Sequence, residues 1–290
     1  IKHLKMLKEI VTFNKQVEGH LAQMQDDNQL TLGQYLETYT YSEAFKNLYI
    51  VPMGSAIWSA KQSDMLKMPL SFFVKFFRNH GLLNLKERPQ WRVIKGGSSA
   101  YIEPLIAPYK DRIRLNTAVY EVDRNITGSY VTLKTKEGEE AFDHVIFSCH
   151  SNQALACLND VNKLEKEILQ SIPYSNNEVV LHTDKGVLPK TKRCWSSWNV
   201  SLGDQNEIPC LSYNMNILQG IDSDQTYCVT LNQSDCIDPQ KVIGVYNYEH
   251  PVFTTESVEA QSRWGEINGK RNTWFCGAYW RNGFHEDGVW

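Results

Sequence analysis

Leu4, Leu7, Ile10 and Val11 recur at the spacing of one helix face, with the polar Asn14 next in the same series. The pattern predicts helices over residues 1 to about 90. Thr31-Leu-Gly-Gln34 supplies a helix start, with Thr31 as N-cap and Gln34 closing a capping box. Pro52-Met53-Gly54 is expected to interrupt the next helical stretch. Ser55-Ala-Ile-Trp-Ser59 then opens a further helix or lines a cavity. Pro69 begins the most apolar run, Leu70-Ser-Phe-Phe-Val-Lys-Phe-Phe77, and Asn79-His80-Gly81 reads as its stop. That run is either a buried amphipathic helix or a face that touches a membrane or lines the route of a greasy substrate.

From Gln90 the period shortens. Trp91–Ile94 and Ile113–Leu115 read as short strands, separated by a turn at Gly96-Gly97-Ser98-Ser99 and a helix over Ala100–Ala107 closed by Pro108. Ala118–Arg124 and Tyr130–Lys136 alternate as a hairpin, and Glu137-Gly138 turns the chain. Phe142–Cys149 is apolar enough for a strand in a sheet covered on both faces. A helix over Val161–Ser171 precedes strands at Glu178–Thr183, Cys194–Val200, Cys210–Asn216, Tyr227–Leu231 and Lys241–Glu249. Turns at Asp184-Lys-Gly186, Leu202-Gly203-Asp204 and Asp222-Ser-Asp224 give this stretch antiparallel punctuation. Residues 257–266 read as helical. Thr273–Cys276 is a buried strand that breaks at Gly277, and a polar loop ends in His285-Glu286-Asp287-Gly288 at a helix start. A strand, a glycine and a helix N-terminus form a cradle: the glycine admits close approach, and the unpaired N–H groups face electron-rich oxygens.

Composition narrows the function classes. At 290 residues, 42% hydrophobic and 22% charged, the chain holds one large domain or two intertwined ones. A net charge of −3 gives no reason to expect nucleic acid. Seven cysteines lack any C-x-x-C pair, so neither a disulfide framework nor a zinc site is indicated, and a reducing cytoplasm fits. His182 and His250 have no evident third ligand, so no metal site is expected. No apolar run is long enough to span a bilayer. Asn125-Ile-Thr127, Asn199-Val-Ser201 and Asn232-Gln-Ser234 match a glycosylation pattern short enough to arise by chance. Eight Trp and fourteen Tyr point to an aromatic core or pocket.

The ending Cys276-Gly-Ala278 … Gly283-Phe-His-Glu-Asp-Gly288 resembles the C-terminal flavin-contacting motif of the FAD-dependent amine oxidase and phytoene desaturase superfamily. It is similar in particular to the bacterial branch labelled "predicted NAD/FAD-binding protein". Further pieces recur in the family's order: Trp91 with Gly96 and Gly97, then Val119, Val122 and Arg124, then the Phe142-Asp-His-Val-Ile-Phe147 strand. The resemblance implies a mixed α/β fold, with part of a Rossmann-like FAD-binding domain intertwined with a substrate domain of helices and antiparallel sheet. The expected division is 1–90 helical cap, 91–150 FAD-binding part, 151–262 substrate sheet and 263–290 terminal FAD-binding segment. Family members open with G-x-G-x-x-G, which is absent here. Either this is no dinucleotide-binding protein, or the sequence is a fragment that lacks that unit, and the fragment is the reading expected from the order of the remaining pieces.

The same resemblance implies the site. Gly277 and Ala278 would pass the ribityl and pyrophosphate region, with only backbone contact at Ala278, where many relatives carry an acid. Glu286, Asp287 and Gly288 would offer N–H groups to the pyrimidine end, Asp287 serving also as an N-cap. Val119 would clasp the adenine end, and Gly96 and Gly97 would pass under the flavin or merely shape a corner. His285 could hold a proton near the ring. Trp58, Trp195, Trp198, Tyr213, Asn214 and Tyr248 are candidates for the wall of a pocket for a hydrophobic small molecule, plain core packing being the alternative for each. The expected activity is hydride transfer between substrate and FAD. A flavin-dependent isomerase and a non-catalytic lipid-binding scaffold remain open alternatives.

Overall fold

The computed structural model describes residues 2–23, 29–84, 86, 89–124, 129–201 and 210–290. The turn expected at Leu202-Gly203-Asp204 and the Asn125-Ile-Thr127 pattern lie outside the described residues. Helices lead: α1 (Lys2–Gln23), α2 (Leu32–Thr38), α3 (Glu43–Phe45), a π-helical turn (Lys46–Ile50), α4 (Val51–Trp58), α5 (Gln62–Lys67), α6 (Leu70–Asn79) and α7 (Ile102–Ile106). Strands β1 (Glu121–Arg124), β2 (Val131–Thr135), β3 (Gly138–Phe142) and β4 (Val145–Phe147) follow, then α8 (Ser151–Cys157) and α9 (Lys163–Gln170). Next come β5 (Tyr174–His182), β6 (Trp198–Ser201), β7 (Cys210–Asn214), α10 (Met215–Gln219), β8 (Cys228–Leu231) and β9 (Val242–Pro251). The chain closes with α11 (Thr255–Ser262), α12 (Trp264–Ile267), β10 (Thr273–Phe275) and α13 (His285–Val289). This is the mixed α/β architecture that the resemblance implied.

The chain divides into two compact units, each made of two stretches: residues 1–107 with 174–252, and residues 108–173 with 253–290. The first unit holds the leading helices and a five-stranded antiparallel sheet in the order β6-β7-β8-β5-β9. Its helical core is aromatic. Phe13 meets Tyr35 and Tyr41 edge-on, and Phe45 stacks on Tyr41 at 4.7 Å. Thr31 caps α2 through the expected box, its side chain accepting from the Gln34 N–H. The Leu70–Phe77 run is a buried helix, with Leu70, Phe72, Phe73, Val74, Phe76 and Phe77 all inside, so it offers no apolar face to a membrane. No helix among the described residues is long and apolar enough to cross a membrane.

Several expectations are corrected. Leu4 is 72% exposed and Leu7 is exposed too, because the buried stripe of α1 runs through Phe13, Asn14 and Val17 instead. Pro52 does not break its helix: it sits at the start of α4, directly after the π turn, where its missing N–H is not needed. Gly54 follows inside α4, where an added Cβ would run into Met65. Trp91–Ile94 and Ile113–Leu115 form no strand, since no neighbour pairs with them among the described residues, and a lone extended segment has nothing to hold it. Pro108 does not close its helix but lies within a 3-10 turn that continues from α7.

The second unit holds the β1-β2-β3 meander and a parallel pair, β4 with β10. Phe142–Cys149 is therefore two strands in two sheets, parted at Asp143-His144, rather than one. The parallel pair is not covered on both faces as expected: Val145, Phe147, Thr273 and Phe275 are buried, while Ile146 is 64% exposed beside Trp274. Under the meander, Arg124 is wholly enclosed. Its guanidinium donates to both Glu165 carboxylate oxygens at 2.5 and 2.8 Å and to Asp160 at 2.8 Å, and Arg271 also pairs with Asp160.

Candidate functional site

In the second unit, β4 and β10 run in parallel with Phe275 opposite Phe147, their rings stacked at 5.5 Å. Both strands therefore finish at one edge, where the Ser148 hydroxyl lies 3.1 Å from the Cys276 thiol. Carboxyl ends of parallel strands are where open α/β sheets take ligands. Gly277 follows with φ 152° and ψ 156°, a backbone that a side chain resists. The space in front of it belongs to the chain itself: a Cβ at Gly277 would stand 2.5 Å from the Tyr279 ring. The glycine is thus required by its own neighbour.

Beyond the bend, the turn is held from behind. The Gln261 side-chain amide donates to the carbonyls of Tyr279 at 2.8 Å and Arg281 at 2.7 Å. Trp264 donates its indole N–H to the Phe275 carbonyl at 2.9 Å, and Asn268 accepts the Phe275 N–H at 2.7 Å. The short 3-10 turn Ala278–Trp280 leads through Gly283 (φ 94°) into α13. His285 is the exposed first residue of α13. Asp287 accepts from the Phe284 N–H at 3.0 Å and from the Asn282 amide at 3.2 Å, so it caps from the third helical position rather than as the N-cap. The Gly288 N–H is spent on the Phe284 carbonyl, while Glu286 and Asp287 occupy the first turn, where N–H groups lack helical acceptors. A Cβ on Gly288 would come within 3.7 Å of the Ala278 nitrogen, so α13 folds closely back on the turn. Trp280 is only 7% exposed, and its indole N–H has no acceptor.

Val119, also in this unit, is half exposed, and its carbonyl lies 3.6 Å from the Cys157 thiol. Gly96 and Gly97 belong to the first unit. Both adopt positive φ, 84° and 85°, in a turn closed by the Gly97 N–H to the Ile94 carbonyl at 2.9 Å. An added Cβ would meet nothing within 4 Å at Gly97.

In the first unit, strand register decides which aromatic candidates meet. Residues directly opposite share a face. Trp198 opposes Tyr213, Leu211 opposes Leu231, Val179 opposes both Leu231 and Tyr246, and Tyr248 follows Tyr246 on the same face. One face of the sheet therefore carries Trp198 and Tyr213 at one end and Tyr246 and Tyr248 at the other, with leucine and valine between. The Trp198 and Tyr213 rings meet edge-on at 5.6 Å, and those of Tyr246 and Tyr248 stack at 6.2 Å. Burial pushes the Tyr213 phenol up to about 12, so it stays protonated. The opposite face carries a buried polar chain beside Val180 and the exposed Val245. His182 Nε2 bonds Thr230 at 2.8 Å, and Thr230 bonds Ser212 at 2.8 Å. His182 Nδ1 accepts the Asp184 N–H at 3.0 Å. Backbone N–H groups of Asp238 and Gly186 hold the Asp184 carboxyl down at about 2.

The other three wall candidates are not among the strand residues of that face. Trp58 is 5% exposed, inside a cluster with Phe72, Phe73 and Phe76. Asn214 is buried on the polar face and caps α10 through the Ile217 N–H. Trp195 donates to the Pro189 carbonyl at 2.8 Å, with Lys192 over its ring. Among the described residues, no group of His, Cys, Asp and Glu could hold a metal ion. Reading the sequence missed Tyr246, Trp280 and Gln261. An alternating Tyr246-x-Tyr248 pair could have flagged the first, whereas no local signal marks Gln261.

Comparison with known proteins places this geometry. The fold is similar to cyclohexylamine oxidase from Brevibacterium oxydans IH-35A at 11% identity and TM-score 0.60, covering 90% of this chain and 65% of that one. It is similar to a fatty acid isomerase from P. acnes that produces CLA, at 15% identity and TM-score 0.61, covering 99% and 73%. It is also similar to a triple mutant of putrescine oxidase redesigned in cofactor binding, at 12% identity and TM-score 0.61, covering 99% and 72%. The chain thus spans about two thirds of the length of these proteins. No curated protein matches it in sequence. The family model for flavin-containing amine oxidoreductases matches residues 16–209, about two thirds of the chain. That extent settles the family, and the chain belongs to the flavin-containing amine oxidoreductases.

Proposed function

We propose that this chain forms the substrate face and part of the cofactor cradle of an FAD-dependent oxidoreductase acting on a hydrophobic small molecule. The observation that carries the reading is the sheet face with Trp198 and Tyr213 at one end and Tyr246 and Tyr248 at the other. Its leucine and valine centre and uncharged aromatic ends suit an apolar body better than a small polycation, which would call for carboxylates. The six wall candidates reduce to Trp198, Tyr213 and Tyr248, joined by Tyr246.

The second unit's terminal turn fits an oxygen-rich ligand. Its buried indole N–H lacks an acceptor, and the first turn of α13 is exposed beside it. In this reading Ala278, Glu286 and Asp287 meet FAD through backbone N–H groups, and Gly277 and Gly288 keep turn and helix close. Val119, Gly96 and Gly97 are carried as further backbone contacts by resemblance. When bound, the flavin supplies hydride acceptance and return. The chain's own residues would bind and orient: the aromatic face would exclude water from the substrate, and His285, exposed at the helix start, would exchange a proton. Seven free thiols support a reducing, cytoplasmic setting.

The test is the visible spectrum of the complete gene product. We expect a yellow protein whose flavin is bleached anaerobically by an apolar substrate, such as an unsaturated lipid, and not by putrescine. A colourless protein that cannot be reconstituted with FAD sinks the reading. Turnover of the lipid without bleaching turns it into an isomerase.

A further inference from the structure

We propose that the indole N–H of Trp280 donates a hydrogen bond to an oxygen of the bound flavin cofactor. The proposal rests on the flavin reading above and adds a contact residue to it. An indole nitrogen can only donate, so it has no second way to be satisfied. Buried donors without a partner are rare in folded proteins. This chain satisfies its other indoles where they meet backbone: Trp264 donates to the Phe275 carbonyl and Trp195 to the Pro189 carbonyl. Trp280 is more than nine-tenths buried and reaches no acceptor.

The main chain that carries the indole is also fixed. The Gln261 amide ties down the carbonyls on either side of it, those of Tyr279 and Arg281. The Trp280 backbone N–H is itself bonded to the Gly277 carbonyl at 3.2 Å. Moving the main chain to pair the indole would break those three hydrogen bonds. The donor is therefore unpaired on a braced turn that leaves the carboxyl end of a parallel strand. An unpaired donor fixed beside a ligand edge is completed by a ligand acceptor, and flavins carry carbonyl, ribityl and phosphate oxygens.

The experiment compares the complete wild-type protein with Trp280→Phe, which keeps a ring and removes the donor. FAD affinity is read by flavin fluorescence quenching and apoprotein stability by thermal midpoint. We expect Trp280→Phe to bind FAD about tenfold more weakly, the value of one hydrogen bond, while the apoprotein midpoint holds or rises because an unsatisfied donor has gone. Equal FAD affinity in the two proteins overturns the proposal, as does an apoprotein that loses stability in step with affinity. If the variant fails to fold, 15N-indole spectra of the wild type decide, with the Trp280 resonance assigned by selective labelling. A Trp280 signal that shifts on adding FAD supports the contact, and one that stays put overturns it. A wild type that takes up no FAD sinks the flavin reading and this proposal with it; binding by the wild type with no effect at Trp280 sinks this proposal alone.

Discussion

The five-stranded sheet and the turn after β10 both bury polar atoms, but they treat them differently. In the sheet, His182, Thr230 and Ser212 form a chain in which each hydroxyl and ring nitrogen finds a partner. Asn177 bonds His250 at 3.0 Å and Asn232 at 2.7 Å. The exception is the Ser175 hydroxyl near the start of β5. In the terminal turn, main-chain groups are tied down by Gln261 while the Trp280 donor is left over. Satisfied polar groups in a low-dielectric interior specify a structure, whereas a leftover donor on a braced turn marks a place that something else completes. The Arg124 cluster belongs with the sheet in this respect, since its charges pair among themselves.

If that division is right, damage to a satisfied cluster costs stability and leaves flavin binding to follow folding. The largest effect is expected at Arg124. Arg124→Met takes from the buried Glu165 carboxylate its bidentate partner and leaves it the Asn162 N–H at 3.0 Å and Arg271 at 3.6 Å. Denaturant unfolding should show a loss of about 3–5 kcal/mol, most of it recovered in Arg124→Met/Glu165→Leu, because two buried charges are replaced by apolar groups. A loss below about 1 kcal/mol in the single variant would place the cluster among weak surface pairs. Thr230→Val comes next. It removes the shared partner of His182 and Ser212 and should cost about 1–3 kcal/mol, with FAD affinity of the folded fraction unchanged. Weaker FAD binding at full stability would erase the contrast between sheet and turn.

What was legible in the sequence follows the range of each interaction. The Thr31–Gln34 box was legible because its chemistry spans four residues. The β1–β2 hairpin was legible from alternation alone. Arg124 stood out as a motif residue, but its partners Asp160 and Glu165 lie 36 and 41 positions on, and no local pattern announces them. Trp198, Tyr213 and Tyr248 could be nominated singly, yet only strand register shows that they share a face. The glycine at 277 was legible as the break of a strand and reads as admitting another molecule, whereas Tyr279 lying before it depends on a ring packing two residues away. Trp91–Ile94 misled because alternation describes a strand's preference and not the presence of a neighbour to pair with.

A smaller effect concerns pH. Burial, opposed by the nearby Asp184 carboxylate, holds the His182 imidazole below its ordinary 6.5, so it is neutral in the fold. The unfolded chain takes up that proton near 6.5, so the contribution is complete above that pH and is lost as pH falls below it. Asp184, held at about 2 against an ordinary 3.8, keeps its contribution until pH drops below that ordinary value. Thermal midpoints should therefore decline between pH 7 and 5, and His182→Gln should flatten that slope. An unchanged slope would mean that the imidazole is already protonated in the fold, and the sheet's polar chain would need redrawing.

The smallest stability effect, and the sharpest separation of the sheet's two faces, is expected at Tyr248. It is 54% exposed on the aromatic face and stacks on Tyr246, so Tyr248→Ala should change stability by no more than about 0.5 kcal/mol. If the aromatic face receives the substrate, the same substitution should raise KM for whichever apolar compound bleaches the wild-type flavin, by roughly tenfold for the loss of one aromatic contact worth about 1–2 kcal/mol. It should leave kcat nearly as it was, because uniform binding is lost and no reacting group is touched. A large fall in midpoint with KM unmoved would make Tyr248 a structural residue. The face would then be ordinary packing, and the substrate would have to be sought elsewhere in the chain.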